Sequence, residues 1–145
     1  MPQMPPLTQE GLKELLAQPL VAKLATTSAK GEVRITPLWF GADDGTILLN
    51  TWEDTAAVRN LKHNPRCSLL IDTTDFPYTG VHYQGTATVE GPENDTKGMA
   101  KLFAPYRGSE DAATEYAGQL IGWGKRVYIR FRPEHEVGWD FRNAG

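Results

Sequence analysis

The groups best placed to meet a ligand lie between residues 35 and 62. Asn50 and Thr51 put two polar side chains at the end of an apolar run, just before a short helical segment. Thr51 or Asp54 can cap that helix, which leaves its first N–H groups free beside the strand end, and free N–H groups attract anions. The chemistry this suggests is a seat for a phosphorylated ligand. Upstream, Thr36 precedes Pro37. Proline cannot donate a ladder hydrogen bond, so it marks a sheet edge, a bulge or a break, and the hydroxyl and backbone of Thr36 are then open to a ligand. Three histidines (His63, His82, His135) stand far apart and Cys67 is single, so neither a zinc pattern nor a thiol nucleophile with a recognisable signature is present. No carboxylate has a partner that would make it a general acid, and the catalytic residue stays unassigned.

The elements that position these groups begin with a strand Ile35 to Phe40, a turn Gly41 to Gly45 built on Ala42-Asp43-Asp44-Gly45, a strand Thr46 to Trp52 and a helix Asp54 to Lys62. Before them, Thr8 caps a helix that ends ahead of Pro19, and Leu20 to Ser28 reads as a largely buried strand turning through Gly31 into Glu32 to Phe40. After them come a strand Arg66 to Asp72, which makes Cys67 a small core residue, and a loop Thr73 to Thr79 carrying Phe76, Pro77 and Tyr78. A long alternating strand follows from Gly80 to Gly91, and Gly85 within it signals a bend or bulge where a sheet curls. Asp95 and Ser109 cap two helices, the second ending at Gly122, with Trp123 in the connection beyond. Lys125 to Arg132 and Glu134 to Arg142 complete the strands. Arg126, Tyr128, Arg130 and Arg132 face outward and read as a solvated surface rather than an anion-binding one. Six or seven strands joined mostly by hairpin-length turns predict a mainly β fold, an antiparallel barrel with helices packed outside it.

Length and composition bound the rest. The 145 residues fit one domain over 1–145, and 40% hydrophobic with 23% charged residues suffices for a core. No apolar run approaches a membrane span and no secretory signal is visible, so a cytoplasmic protein without a membrane partner is expected. A net charge of -3 with no basic run argues against nucleic acid.

The stretches Leu24-Ala25-Thr26-Thr27, Gly31, Thr36-Pro37-Leu38-Trp39-Phe40, Asp44-Gly45-Thr46-Ile47, Asn50-Thr51, Arg59-Asn60-Leu61 and Asn64-Pro65-Arg66, in that order and spacing, resemble the pyridoxamine 5'-phosphate oxidase-like split β-barrel family. Within it the chain looks most like the actinobacterial flavin- or deazaflavin (F420)-dependent oxidoreductases. The resemblance implies a homodimer with FMN or F420 at each interface and a small organic substrate that exchanges hydride with the cofactor. It also implies that the backbone of Ile35, Thr36, Pro37 and Leu38 lines the ring edge, and that Asn50, Thr51 and Trp52 border the ring and ribityl chain. Arg59 and Asn60 match the family's Arg-Asn pair, and Tyr78 and Thr79 fall where the second subunit closes over the cofactor. One departure stands out: Thr55 and Ala57 occupy places where family members carry Arg or Lys for the cofactor phosphate. Thr55 and the helix N–H groups, with Arg59, Lys62 or Arg34 nearby, are the remaining candidates for that contact. The missing anchors motivate the alternative of a non-catalytic binding protein for a flavin, tetrapyrrole or other hydrophobic ligand.

Overall fold

A computed structural model describes residues 4–144. Six antiparallel strands close into a barrel in the order β1-β2-β3-β6-β5-β4. The strands are β1 (Val21–Thr27), β2 (Val33–Asp43), β3 (Thr46–Trp52), β4 (Arg66–Asp72), β5 (Thr79–Glu90) and β6 (Arg126–Asp140). The helices are α1 (Gln9–Leu16), α2 (Ala56–His63), α3 (Thr96–Arg107) and α4 (Glu110–Trp123). The mainly β barrel predicted from the sequence is the fold observed. Among the described residues no helix is long and apolar enough to cross a membrane.

Alternation along each strand sorts side chains to the two sides of the barrel wall. Leu24, Leu49, Leu69, Ile71, Val81, Ile129 and Phe131 point inward and are fully enclosed or nearly so, and α2 adds Val58 and Leu61 to the same core. A second core lies outside the wall. There α3 and α4 lay Met99, Phe103, Ala113, Ala117 and Leu120 against Trp39, Leu48, Trp52 and Tyr128 of the outer strand faces. Cys67 is an inward-facing core residue, and burial pushes its thiol up to about 12, which removes it as a nucleophile near neutral pH.

Several boundaries differ from the sequence reading, each for a local reason. The hairpin between β2 and β3 is tighter than a five-residue turn. Asp43 pairs with Thr46, and Asp44 and Gly45 take φ of 48° and 80°, the left-handed pair that a two-residue connection requires. The two C-terminal strands expected at Lys125 to Arg132 and Glu134 to Arg142 are one strand, β6. The register slips between Gln84 and Gly85, and Pro133, which lacks an N–H, is absorbed opposite Gly85 at that irregularity. Helix α4 runs through Gly122 to Trp123, with Gly124 as its cap. The expected bend at Gly85 is therefore present, and it keeps the fifteen-residue β6 continuous along β5 around the curve of the barrel.

A methyl group at Gly85 would fall on the backbone carbonyl of Arg132, an atom that cannot swing aside. Gly85→Ala should therefore cost about 1 to 3 kcal/mol through forced backbone displacement, read as a lower urea midpoint with unchanged slope. A midpoint equal to that of the wild type would show that the two strands are not locked at this position.

Candidate functional site

The barrel wall has a seam where β2 and β3 part. Strand β2 pairs with β1 from Val33 to Trp39 and with β3 only from Phe40 to Asp43. Continuing the β2–β3 ladder past the Phe40–Leu49 pair would set Trp39 against Asn50, Leu38 against Thr51 and Pro37 against Trp52. Instead all six residues line a groove of about 300 Å³ whose outer wall is Phe103, Tyr116 and Leu120 of α3 and α4. Pro37 accounts for part of the parting, because it has no N–H to give to β3. Beyond the seam β3 keeps β6 as its partner, with Asn50 opposite Tyr128 and Trp52 opposite Arg126.

Tyr106 of α3 fixes the point of divergence. Its hydroxyl accepts from the Phe40 N–H at 3.0 Å and donates to the Leu20 carbonyl at 2.6 Å. Its ring stacks on Trp39 with centroids 4.5 Å apart and planes 11° from parallel. The hydroxyl thus serves backbone groups that β2 would otherwise leave in poor surroundings where it changes neighbours. Burial raises its pKa, so it remains a protonated donor.

Arg126 is the charged residue of this groove, and outward strand alternation alone gave no reason to separate it from Arg130 and Arg132. The sequence reading of a solvated arginine face fails here, since Arg126 is only 5% exposed. Its Nε donates to Asn50 Oδ1 at 2.9 Å, and its guanidinium carbon sits 4.6 Å from the centroid of the Trp52 ring. Tyr116 and Leu120 of α4 and Trp52 of β3 line the same groove around it, a tertiary effect that strand periodicity does not carry. Burial pushes its pKa down to about 10, which leaves it charged at neutral pH. Arg130, by contrast, is held by Glu90 and Asp43, and Arg132 donates to Thr88 Oγ1.

The residues singled out from the sequence divide into those brought to the seam and those used elsewhere. Pro37, Leu38, Asn50, Thr51 and Trp52 line it. Ile35 and Thr36 precede them on the same open edge; Ile35 is 66% exposed, while Thr36 Oγ1 is buried without a hydrogen-bond partner. Thr55, rather than Asp54 or Thr51, caps α2, its hydroxyl accepting from the Val58 N–H at 3.3 Å, because Asp54 is paired outward with Arg59. Asn60 is tied into the fold by donating to Thr26 Oγ1, and Arg59 is exposed. Tyr78 is 47% exposed beside Phe76, whereas Thr79 is buried and donates to Asp140 Oδ1. Ala57 faces inward at 2% exposure, so a cation could not be displayed there without repacking the helix. Among the described residues no cluster of His, Cys, Asp and Glu is arranged to hold a metal.

Comparison with known proteins agrees with this architecture. The family profile described as pyridoxamine 5'-phosphate oxidase matches residues 8–139. A conserved hypothetical protein of Mycobacterium tuberculosis superposes with a TM-score of 0.83 at 23% identity, over 100% of this chain and 93% of that one. An F420 reductase superposes with a TM-score of 0.71 at 25% identity, over 90% of this chain and 98% of that one. The heme storage protein HutZ of Vibrio cholerae superposes with a TM-score of 0.68 at 17% identity, over 89% of this chain and 92% of that one. No curated protein matches the sequence.

Tyr106→Phe keeps the stack on Trp39 but strips two backbone groups of their partner. The expected loss is about 1 to 3 kcal/mol in chemical denaturation, since a buried group left unpaired costs its desolvation. Unchanged stability would mean that water or neighbouring backbone replaces the hydroxyl, and the seam would not depend on it.

Proposed function

We propose that this chain, which belongs to the pyridoxamine 5'-phosphate oxidase family, is an oxidoreductase that binds FMN or F420 at the interface of a homodimer and serves a small organic substrate. The observation that carries this reading is the parted seam, where the β2 edge from Pro37 to Trp39 is free of β3 and lines a groove together with Asn50, Thr51 and Trp52 of β3. The similarity to an F420 reductase over 98% of that protein's length adds support. A cytoplasmic location accords with the reading.

The residues present fit such a cofactor. The β3-facing edge from Ile35 to Leu38 offers backbone carbonyl and N–H groups, interrupted at Pro37, to the polar rim of a flat conjugated ring. Asn50 and Thr51, both nearly buried, border the opposite side, and Trp39 and Trp52 exclude water from it. The Thr55-capped start of α2 presents N–H groups for a phosphate in place of the Arg and Lys that this chain lacks. When bound, a flavin or deazaflavin supplies a carrier for hydride, and the protein's share is orientation, electrostatics and dryness.

The same edge supports the dimer. Val33 and Ile35 stand 69% and 66% exposed on a strand whose β3-side edge is free, an arrangement that proteins commonly cover with another chain. A second copy would do so symmetrically. A second reading, a binding protein without turnover, is favoured by one observation: no cation occupies the first turn of α2, so phosphate anchoring rests on weaker neutral donors.

Parallel titration of the purified protein with FMN and F420, read by absorbance and tryptophan fluorescence, tests the proposal. Micromolar binding of one cofactor is expected. At a hundredfold excess over Kd that cofactor should raise stability by about 2.7 kcal/mol. Binding of neither, or a monomer by light scattering at micromolar concentration, would overturn it.

A further inference from the structure

We propose that the seam groove takes a small apolar ligand ending in a single carboxylate, and that Arg126 is the residue that recognises it. This rests on the reading of the seam as the ligand-facing side of the molecule and names the class of substrate, which would take the Arg126 end of the groove while the cofactor ring borders the outer edge of β2 from Ile35 to Leu38.

Arg126 is costly as it stands. It is nine-tenths buried or more, and among the described residues no carboxylate lies within ion-pair distance of it. Its terminal nitrogens make no protein hydrogen bond among the described residues yet are not among the enclosed polar atoms without a partner, so they open onto the groove; a largely covered charge without a counter-ion is unfavourable, and a neutral side chain of similar volume would be tolerated at least as well. The arginines further along the chain show the usual solution, for Arg130 meets Glu90 and Asp43, and Arg142 meets Asp140. Arg126 has a neutral acceptor and an aromatic face instead.

Orientation matters as well. Asn50 engages Nε and the guanidinium carbon lies over the Trp52 ring, which holds the group in place. Neither terminal nitrogen donates to a protein acceptor among the described residues. Two fixed, adjacent N–H donors match the two oxygens of one carboxylate.

The groove then sets the rest of the ligand. Arg126 is its one charged lining residue among those described, and the others are mainly aromatic or aliphatic, including Leu38, Trp39, Phe103 and Leu120. One cation compensates one negative charge, so a phosphate dianion would leave a charge buried without an opposite, whereas a carboxylate would not. At about 300 Å³ the groove is at the small end of ligand pockets, which fits a body of one or two rings.

The test compares 2-naphthoate with the uncharged 2-naphthamide by calorimetry on wild type, R126M and R126K. Wild type should bind the naphthoate at least about tenfold tighter than the amide. R126M should bind the two within about twofold of each other and melt no lower than wild type, while R126K should retain part of the preference. A purely structural role for Arg126 predicts the opposite pattern, a lower melting temperature for R126M. The proposal is overturned if wild type shows no preference, if R126M keeps it, or if R126M fails to fold. It is also overturned if inorganic phosphate displaces 2-naphthoate at equal concentration. The separate cofactor titration distinguishes the two levels. A carboxylate preference without FMN or F420 binding removes the oxidoreductase reading and leaves this one, and cofactor binding without the preference removes this one alone.

Discussion

The molecule depends on a change of partner by one strand. Up to Trp39, β2 belongs to β1; from Phe40 it belongs to β3. A closed barrel must satisfy its backbone groups around the whole wall, and a parted seam withdraws partners from both lips. Pro37 lessens the demand by having no N–H, and the Tyr106 hydroxyl meets the Phe40 N–H where the strands diverge. The α3–α4 pair is held in turn by that seam, because Trp39 and Trp52, one on each lip, are what the helices pack against. The second core and the groove are therefore two consequences of one break in pairing.

Polar groups at the break are treated differently from polar groups elsewhere. Thr79, Asp140 and Arg142 form a closed set in which each partner is satisfied, and Arg130 is enclosed by two carboxylates. At the seam Thr36 Oγ1 has no partner, and Arg126 has only Asn50 Oδ1 and the Trp52 face. Native interiors rarely leave such groups unpaired without a reason, and a functional site is one such reason.

Much of the fold was legible because its signals are local. The Asp44-Gly45 pair, the caps at Thr8, Asp95 and Ser109, the glycine in the middle of β5 and the alternation from Val81 to Val89 all act over a few residues. The family pattern located the lips of the seam at Ile35 to Leu38 and at Asn50 to Trp52. What escaped was nonlocal. The continuity of β6 through Pro133 depends on Gly85, 48 residues upstream, and Arg126 sits in a groove lined by residues of α4 and β3. Alternation could place Arg126 on the outer face but could not say that the outer face there was covered. For the same reason Ala57 looked like a vacant anchor position, although it points into the protein.

Backbone amide hydrogen exchange, with and without saturating FMN or F420, tests whether the parted seam is where the ligand sits. Protection is expected to rise at Ile35, Thr36 and Leu38 on one lip and at Asn50, Thr51 and Trp52 on the other, with Pro37 silent for want of an amide proton. Protection that instead gathered on the opposite side of α3, around Gly41, Asp95 and Lys101, would place the ligand in the larger cavity there and contradict the account.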